Sequence, residues 1–239
     1  MPERDAAQVE RMFDRIAQRY DLLNTVLSAG SDARWRRRTA IATAVHPTDR
    51  VLDVACGSGR LARALGRQAP AGGVVGLDFS AGMLQVAQRA SPGPHYARGD
   101  GLALPFADRT FDGATNAFGL RNLADPLQGL AEMRRVVRPG GRLGILEFVR
   151  PSSSPVGRAY RVYLRRGLPL IGGWISGQPQ AYRYLSDTVD TYRTPGELLE
   201  LAAESGWNQV ALQLLTLGTV GLLTGRRAEE DDRTRRFSR

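Results

Sequence analysis

The amino-acid sequence predicts an α/β protein built around a doubly wound, mostly parallel sheet. Between residues 50 and 148, short apolar runs alternate with segments of helical spacing. The runs are almost continuously apolar, which is typical of strands that are covered on both faces. A glycine-rich turn at 57–59 leads from the first run directly into a helix. Together these features indicate parallel strands joined by crossover helices, the arrangement of doubly wound folds.

The predicted elements carry recognisable signals at their ends. Ser80 is placed to cap a helix, Asp125 precedes Pro126 at a favourable helix start, and Thr194 and Glu197 have the spacing of a capping box. We predict helices at 7–20, 31–45, 60–68, 81–90, 126–138 and 195–206. We predict strands within 50–59, 72–80, 95–100, 111–120 and 139–148, followed by a closing pair, with an antiparallel strand, at 207–215 and 218–226.

The composition limits the class of protein. With 42% hydrophobic and 24% charged residues among 239, the chain is globular and long enough for one sizeable domain. The single cysteine, Cys56, excludes an internal disulfide framework, and His46 and His95 lack the spacing of a zinc site, so we expect no metal. The N-terminus is polar, and no apolar run reaches the roughly eighteen residues of a membrane span, so we expect a cytoplasmic protein.

The charge pattern is strongly basic. The formal net charge is +9, and all 33 basic residues are arginine. This charge is compatible with a nucleic acid, an anionic membrane surface or an anionic substrate, and it distinguishes none of them. The aromatic residues are dispersed rather than interleaved with the arginines, so we expect no nucleic-acid partner. An RNA-binding module is kept as a remote alternative.

The glycine turn resembles a nucleotide-binding loop. Gly57 and Gly59, with Ser58 between them, satisfy the dinucleotide fingerprint, and Asp78 follows at the spacing of a ribose-binding acid. Asp53 lies just before the turn, where a carboxylate attracts a cationic ligand but repels a pyrophosphate. A cationic cofactor is therefore favoured over NAD. S-adenosyl-L-methionine (SAM) has a sulfonium, an ammonium and a ribose diol that Asp78 could hold.

Motifs further along the chain point to the same cofactor. Asp100 follows the third predicted strand, a Leu-Pro-Phe loop comes next, and Arg-Pro-Gly-Gly precedes the fifth strand. This joint pattern resembles the class I methyltransferases. In such a site Asp100 would accept a hydrogen bond from the adenine amino group. The combination is more specific than the glycine turn.

Six segments narrow the resemblance to one family. The ubiquinone/menaquinone biosynthesis C-methyltransferases are similar to this chain in YDLLNTVLS (20–28), RWRR (34–37), LPFADRTFD (104–112), FGLRNLAD (118–125), RVVRPGGRLGILEF (135–148) and YRYLSDTV (182–189). The resemblance extends over residues 10–225. It implies a Rossmann-like methyltransferase sheet, SAM as cofactor and a prenylated quinol as acceptor. The reaction it favours is methylation of demethylmenaquinol to menaquinol, with a benzoquinol ring as the other candidate.

The resemblance also implies the site residues. Arg121 and Asn122 would line the quinol pocket, where Arg121 is our candidate for stabilising a phenolate-like oxygen. The alternative is that Arg121 forms an ion pair with Glu147. No general base is assigned, although Tyr182 or Tyr184 could serve. The predicted cofactor contacts are Tyr20, Asp53, Gly57, Ser58, Gly59, Asp78, Asp100, Gly101 and Ala117.

Three positions depart from the family pattern. Arg60 stands where Asp is common, Ala117 where Ser is common, and Asp32 where His is frequent. These departures leave the fold and the cofactor unchanged. They keep open a SAM-dependent methyltransferase acting on another small or lipid acceptor.

We predict one methyltransferase domain over 1–225 with three parts. Residues 1–45 form a helical lid, in which Leu22, Leu23, Val26 and Leu27 cover the cofactor and the quinol; 46–150 form the cofactor-binding core; and 151–190 form a substrate-side insertion. The charged segment 226–239 is predicted to be disordered. The arginines of the lid and the insertion would face an anionic surface at the inner side of the membrane. A homodimer is a further candidate assembly.

Overall fold

The structure is a computed structural model that confirms the predicted α/β architecture. It describes residues 21, 25, 28, 30–44, 46–90, 93–167 and 186–229. The described strands are β1 (Val51–Val54), β2 (Val74–Asp78), β3 (His95–Arg98), β4 (Phe111–Ala117), β5 (Val137–Phe148), β6 (Asn208–Leu215) and β7 (Val220–Arg226). The described helices are α1 (Ser31–Thr43), α2 (Arg60–Gln68), α3 (Ala81–Ala90), α4 (Pro126–Val136), α5 (Pro155–Val162) and α6 (Pro195–Glu204).

The strands form a seven-stranded sheet in the order β3-β2-β1-β4-β5-β7-β6. Strands β1 to β5 pair in parallel. Strand β7 is antiparallel to both of its neighbours, as the closing pair predicted. The strand order reverses between β1 and β4. In doubly wound sheets the crevice at such a reversal, beyond the carboxyl ends of the strands, is where ligands bind.

Helices cover both faces of the sheet. Leu52 and Val54 of β1 belong to the core cluster that contains Leu130 of α4 and Leu201 of α6. Val51 belongs to a second cluster, with residues of α1 and α2. Because successive strand residues point to opposite faces, these clusters lie on opposite sides of the sheet. The chain therefore buries both faces of its parallel strands.

Helix α1 can approach the sheet closely because two of the strand residues beneath it are glycines. A Cβ atom built on Gly144 of β5 would lie 2.1 Å from the Thr43 hydroxyl, and one on Gly113 of β4 would lie 2.9 Å from the Thr43 methyl group. Helix α1 therefore packs directly over the neighbouring strands β4 and β5. This contact holds the second half of α1 against the core.

The predicted helix caps are confirmed. The Ser80 hydroxyl accepts a hydrogen bond from the backbone N–H of Met83 at 3.1 Å. Asp125 accepts from the first turn of α4, and Pro126 is the first helical residue. Thr194 and Glu197 form the reciprocal bonds of a capping box. Local sequence therefore sets where these helices begin.

The sheet extends one residue into the segment predicted to be a disordered tail. Arg226 pairs with Arg142 in β5, so β7 ends one residue later than the predicted domain. The Arg227 guanidinium donates to the carbonyls of Arg134, Arg135 and Val137 at 2.7–3.0 Å. These carbonyls end helix α4, where a cation is favoured. Charge content alone did not reveal this capping role.

Several predictions lie outside the described residues. These are the helix at 7–20, the apolar lid residues Leu22, Leu23, Val26 and Leu27, the side chains of Tyr20, Tyr182 and Tyr184, and the last part of the tail, 230–239. Within the described part of the chain, none of the helices has the length and apolar character needed to cross a bilayer.

Candidate functional site

A cleft opens at the carboxyl ends of β1, β2 and β4, where the strand order reverses. Its volume is about 740 Å³ when the open mouth is included. The cleft brings together segments from distant parts of the sequence. It is lined by Arg36, Ala55, Cys56, Gly57, Ser58, Leu77, Asp78, Phe79, Met83, Gly99, Asp100, Gly101, Ala117, Phe118, Gly119, Asn122 and Leu123.

The glycine turn forms one wall of the cleft. Gly57 and Gly59 have φ angles of 56° and 77°, in the left-handed region that glycine adopts without strain. A Cβ atom on Gly59 would also lie 2.3 Å from the Tyr96 hydroxyl oxygen. The turn therefore depends on glycine at 59 for both conformation and space. It exposes backbone to the cleft directly ahead of helix α2.

Asp78 is held by backbone groups at the end of β2. Its Oδ2 accepts a hydrogen bond from the Gly57 N–H at 2.7 Å, and its Oδ1 accepts from the Ser80 N–H at 2.9 Å. The side chain is 5% exposed and lines the cleft. Both carboxylate oxygens are hydrogen-bond acceptors. Two vicinal hydroxyl groups match this acceptor geometry.

Most of the other predicted cofactor residues meet in the same cleft. Asp100, Gly101 and Ala117 line it together with Ser58. The Asp100 carboxylate accepts a hydrogen bond from the Leu102 N–H at 2.9 Å, which fixes its orientation. The structure therefore assembles residues that are widely separated in the sequence. Their roles toward a ligand stay predictions.

Asp53 lies below the cleft rather than in its wall. The side chain is 0% exposed and is not among the lining residues. Its Oδ1 accepts a hydrogen bond from the Thr115 hydroxyl at 2.9 Å, and Oδ2 has no hydrogen-bond partner among the described residues. Burial raises the pKa of Asp53 to about 7, against the opposing effects of Thr115 and the Arg36 charge. Asp53 can thus act on a bound ligand only through the electrostatic field of its carboxylate and not by direct contact.

Arg121 adopts the alternative arrangement considered from the sequence. Its guanidinium forms a buried ion pair with Glu147, and its backbone N–H donates to the same carboxylate at 3.2 Å. Arg121 is 4% exposed and is not among the cleft-lining residues. The side chain predicted to contact the acceptor therefore lies outside the described lining of the cleft, and its catalytic role stays a prediction. The reason is that Glu147, fully buried at the end of β5, requires a cationic partner.

Asn122, in contrast, does line the cleft. It ends the short 3₁₀ turn Leu120–Asn122 that follows β4. Its side-chain amide donates to the Phe118 carbonyl at 3.4 Å. Because Glu147 binds both the backbone and the side chain of Arg121, the ion pair fixes this turn. The position of Asn122 thus depends on the neighbouring buried pair.

Phe118 lines the cleft together with Asn122, and other aromatic rings pack around it. Phe118 has a φ angle of 61°, an unusual conformation for a bulky residue, and its ring packs on Phe148 with centroids 4.6 Å apart. The Trp35 and Phe118 ring centroids lie 6.1 Å apart in an edge-on arrangement. The Arg36 guanidinium lies 5.4 Å from the Phe118 ring centroid. This wall can accept a flat ring.

Sequence reasoning missed Arg36 as a site residue. It is 6% exposed, yet it lines the cleft, so a positive charge is held inside the site. The available signal was the Trp35-Arg36 pair within the basic run that follows the apolar opening segment. The sequence interpretation places the arginines of that run against an anionic surface. Helix α1 instead turns one of its arginines inward.

Two of the three departures from the family pattern are in contact. Nη1 of Arg60 lies 2.6 Å from Oδ2 of Asp32, and the Asp32 side chain is 3% exposed. The two unusual residues therefore form an ion pair between α1 and the start of α2. The third departure, Ala117, lines the cleft without a polar group of its own.

Cys56 is a buried free cysteine. Burial raises the pKa of its thiol well above the ordinary value. Such a thiol is a poor nucleophile at neutral pH. No group of three or more His, Cys, Asp or Glu side chains that could hold a metal ion occurs within the described ranges.

The doubly wound sheet, the glycine turn after β1 and the acid at the end of β2 define a class I SAM-dependent methyltransferase. Solved structures support this class at the level of the fold. A SAM-dependent methyltransferase from Thermotoga maritima matches 91% of this chain and 98% of its own, with a TM-score of 0.63 and 18% identity. The human N-acetylserotonin methyltransferase in complex with SAM matches 88% of this chain and 56% of its own, with a TM-score of 0.61 and 16% identity.

The chain belongs to the ubiE/COQ5 methyltransferase family, whose model matches residues 1–227. Among its relatives, the demethylmenaquinone methyltransferase of Thermus thermophilus is 45% identical over 220 residues, which are 90% of this chain and 100% of that protein. The demethylmenaquinone methyltransferase of Renibacterium salmoninarum is 44% identical over 216 residues, 90% of each chain. The family resemblance found in the sequence is thus confirmed.

Proposed function

We propose that this protein transfers a methyl group from SAM to a ring carbon of demethylmenaquinol, giving menaquinol. The observation that most directly supports this proposal is that Asp78, the glycine turn, Asn122 and the Phe118 ring line one cleft. The family and the named relatives support the same reaction. A prenylated naphthoquinol supplies the flat ring and the ring oxygens that such a wall can bind.

The cofactor fits the donors and acceptors of the cleft. Asp78, already oriented by two N–H groups, would hold the ribose hydroxyls, and Asp100 would accept from the adenine amino group. Arg36 would bind the carboxylate of the methionine part, because it is the cationic side chain among the described residues that line the cleft. Asp53, below the turn, would favour the positive charge of the ligand.

The acceptor side is formed by aromatic and amide groups. When bound, the cofactor supplies an activated methyl group. Phe118, which packs on Phe148, would hold the quinol ring, and Asn122 would hydrogen-bond to a ring oxygen that becomes phenolate-like. These contacts would align the ring carbon behind the methyl group, about 3–3.5 Å away, for in-line displacement. The ring hydrogen at that carbon is then lost as a proton.

Arg121 would act as a positioning residue in this scheme. Its pairing with Glu147 fixes the turn that carries Asn122.

Tyr160 of α5 is a second group near Arg121. Burial raises the pKa of the Tyr160 phenol, and the positive charge of Arg121 opposes this rise. Tyr160 is therefore neutral at physiological pH and suits a donor role better than that of a base.

Labelled methyl transfer tests the proposal. We expect protein incubated with methyl-labelled SAM and reduced demethylmenaquinone to place the label on the naphthoquinol ring, as read by mass spectrometry. A reduced benzoquinone precursor serves as the competing acceptor. Asn122→Ala should lower kcat by about a hundredfold and leave SAM binding intact, since it removes a contact made by the acceptor.

The outcomes separate the candidate acceptors. Label on the benzoquinol ring alone would replace the naphthoquinol assignment. Absence of label on both rings, with the cofactor still bound, would reject a quinol substrate. It would favour methylation of another small or lipid acceptor.

We further propose that helix α5 meets the anionic membrane surface that holds the prenylated substrate. Val156 and Val162 of α5 are 43% and 57% exposed, and Arg158 between them is also exposed. Exposed apolar side chains beside arginine are the pattern of an interfacial helix. A homodimer stays a prediction.

Vesicle sedimentation tests this surface. We expect the protein to sediment with phosphatidylglycerol vesicles more than with phosphatidylcholine vesicles, and Val156→Ser with Val162→Ser to reduce sedimentation with the phosphatidylglycerol vesicles. Leu217→Ser is the matched control, because Leu217 is 83% exposed in the turn between β6 and β7. Equal sedimentation of the protein with both vesicle types would reject the membrane surface.

A further inference from the structure

Arg60 joins the glycine turn to the chain that precedes α1. It is the first residue of α2, directly after Gly59. Its Nη1 lies 2.6 Å from Asp32 Oδ2, 3.0 Å from the Thr25 hydroxyl and 3.2 Å from the Asp21 carbonyl oxygen. One guanidinium nitrogen therefore contacts three oxygen atoms between residues 21 and 32.

The same two parts of the chain meet again at Ser58. The Ser58 hydroxyl, which lines the cleft, donates a hydrogen bond to the Asp21 carboxylate. Arg63 donates to the Ser58 carbonyl at 2.8 Å and lies 3.9 Å from Asp21. The contact between Asp21 and the glycine turn is thus made in the wall of the cofactor cleft.

Asp32 links Arg60 to the opposite side of the cleft. Its Oδ2 also lies 3.8 Å from Nε of Arg36, the arginine that lines the cleft. The side chains of Asp32 and Arg36 are 3% and 7% exposed, so solvent screens their interaction weakly. Arg60, Asp32 and Arg36 therefore form a row of alternating charges that begins next to the glycine turn and ends in the cleft. Replacing Arg60 would affect both Ser58 and Arg36, the two lining residues that would contact the methionine part of the cofactor in the proposed site.

We propose that the Arg60–Asp32 ion pair is a positioning pair for cofactor binding, which holds Asp21 and Ser58 together and keeps Arg36 in the cleft. Arg60 and Asp32 act through Ser58 and Arg36 and are not themselves in the lining. A purely structural pair would affect folding stability alone. A positioning pair sets the affinity for the cofactor in the folded protein. The proposal rests on the SAM site and not on the identity of the acceptor.

Calorimetric titration with S-adenosylhomocysteine, the demethylated form of the cofactor, tests the pair without any acceptor. We expect Arg60→Ala to weaken binding about tenfold or more, the effect of losing roughly 1.4 kcal/mol of binding free energy. Arg60→Lys should retain most of the affinity because it keeps the charge. The exchange Arg60→Asp with Asp32→Arg should recover most of what Arg60→Asp alone loses, as expected for a direct pair.

Arg67→Ala is the matched control. Arg67 lies exposed near the end of the same helix, so its removal should leave the affinity unchanged. Thermal unfolding with and without S-adenosylhomocysteine establishes that each variant is folded and measures the stabilisation by ligand. If Arg60→Ala will not fold, Arg60→Lys and the exchanged pair still carry the test.

Two results would overturn the positioning role. One is wild-type affinity in folded Arg60→Ala. The other is an exchanged pair that binds no better than Arg60→Asp alone, which would show that Arg60 and Asp32 act separately. A wild-type protein that does not bind S-adenosylhomocysteine would instead contradict the cofactor site on which the whole proposal rests.

Discussion

Replacing Glu147 with alanine is expected to destabilise the protein by about 3–5 kcal/mol, because the Arg121 guanidinium is left buried without its counter-charge. Glu147 is fully buried and also accepts a hydrogen bond from the Phe148 N–H at 2.9 Å. Its loss therefore affects an ion pair and the backbone at the end of β5 together. Urea denaturation at neutral pH, with one transition followed by fluorescence and circular dichroism, measures the change.

A second substitution separates the pair from the packing around it. Arg121→Met with Glu147→Leu replaces both charges by apolar groups, and we expect it to recover much of the stability that Glu147→Ala loses. Glu200→Ala, at an exposed position of α6, should change stability by less than about 0.5 kcal/mol. A Glu147→Ala protein as stable as this control would show that the buried pair is energetically neutral. Methyl transfer by the folded double variant should remain low, because the turn carrying Asn122 has lost its anchor.

Replacing Asp53 with asparagine should remove a pH dependence from the stability of the ligand-free protein. Burial raises the pKa of Asp53 from 3.8 to about 7 in the folded state. Between these values the folded protein holds a proton that the unfolded chain releases, so stability falls as pH rises and is constant above pH 7. The slope approaches about 1.4 kcal/mol per pH unit, and the total is of the order of 4 kcal/mol.

The groups around Asp53 set the size of this effect. The Thr115 hydrogen bond and the Arg36 charge favour the carboxylate, whereas the charge of Asp78 disfavours it. Urea denaturation at pH 5, 6, 7 and 8 should show a smaller pH dependence in Asp53→Asn than in the wild type. Parallel stability curves for the two proteins would mean that Asp53 is ionised throughout this range.

The same substitution should weaken binding of the cofactor. The Asp53 carboxylate stabilises positive charge above it, so the wild-type affinity for SAM should rise as pH increases through 7, whereas Asp53→Asn should lack this rise. SAM carries a sulfonium that S-adenosylhomocysteine lacks, so the loss in the variant should be larger for SAM. Calorimetry with both ligands at pH 6 and 8 compares them. If Asp53→Asn lowered the affinity equally for the two ligands, the Asp53 carboxylate would not act on the sulfonium.

Local sequence predicted the elements well because their signals are local. Ser80, Asp125 and Thr194 begin helices through side-chain bonds to backbone N–H groups within three residues. The continuous apolar strands followed from burial on both faces. Arg227 shows the limit: its role depends on carbonyl groups about ninety residues earlier in the chain, which charge content does not reveal.

The sequence alone was enough to determine the α/β class, the helix starts, the glycine turn and, through its motifs, the family and its cofactor. Only the tertiary structure decided which charges meet. It pairs Arg121 with Glu147 and Arg60 with Asp32, and it places Arg36 in the lining of the cleft. The physical reason is that a buried charge takes its partner from whatever the fold brings within a few ångströms, and that distance is set by packing between elements far apart in the chain.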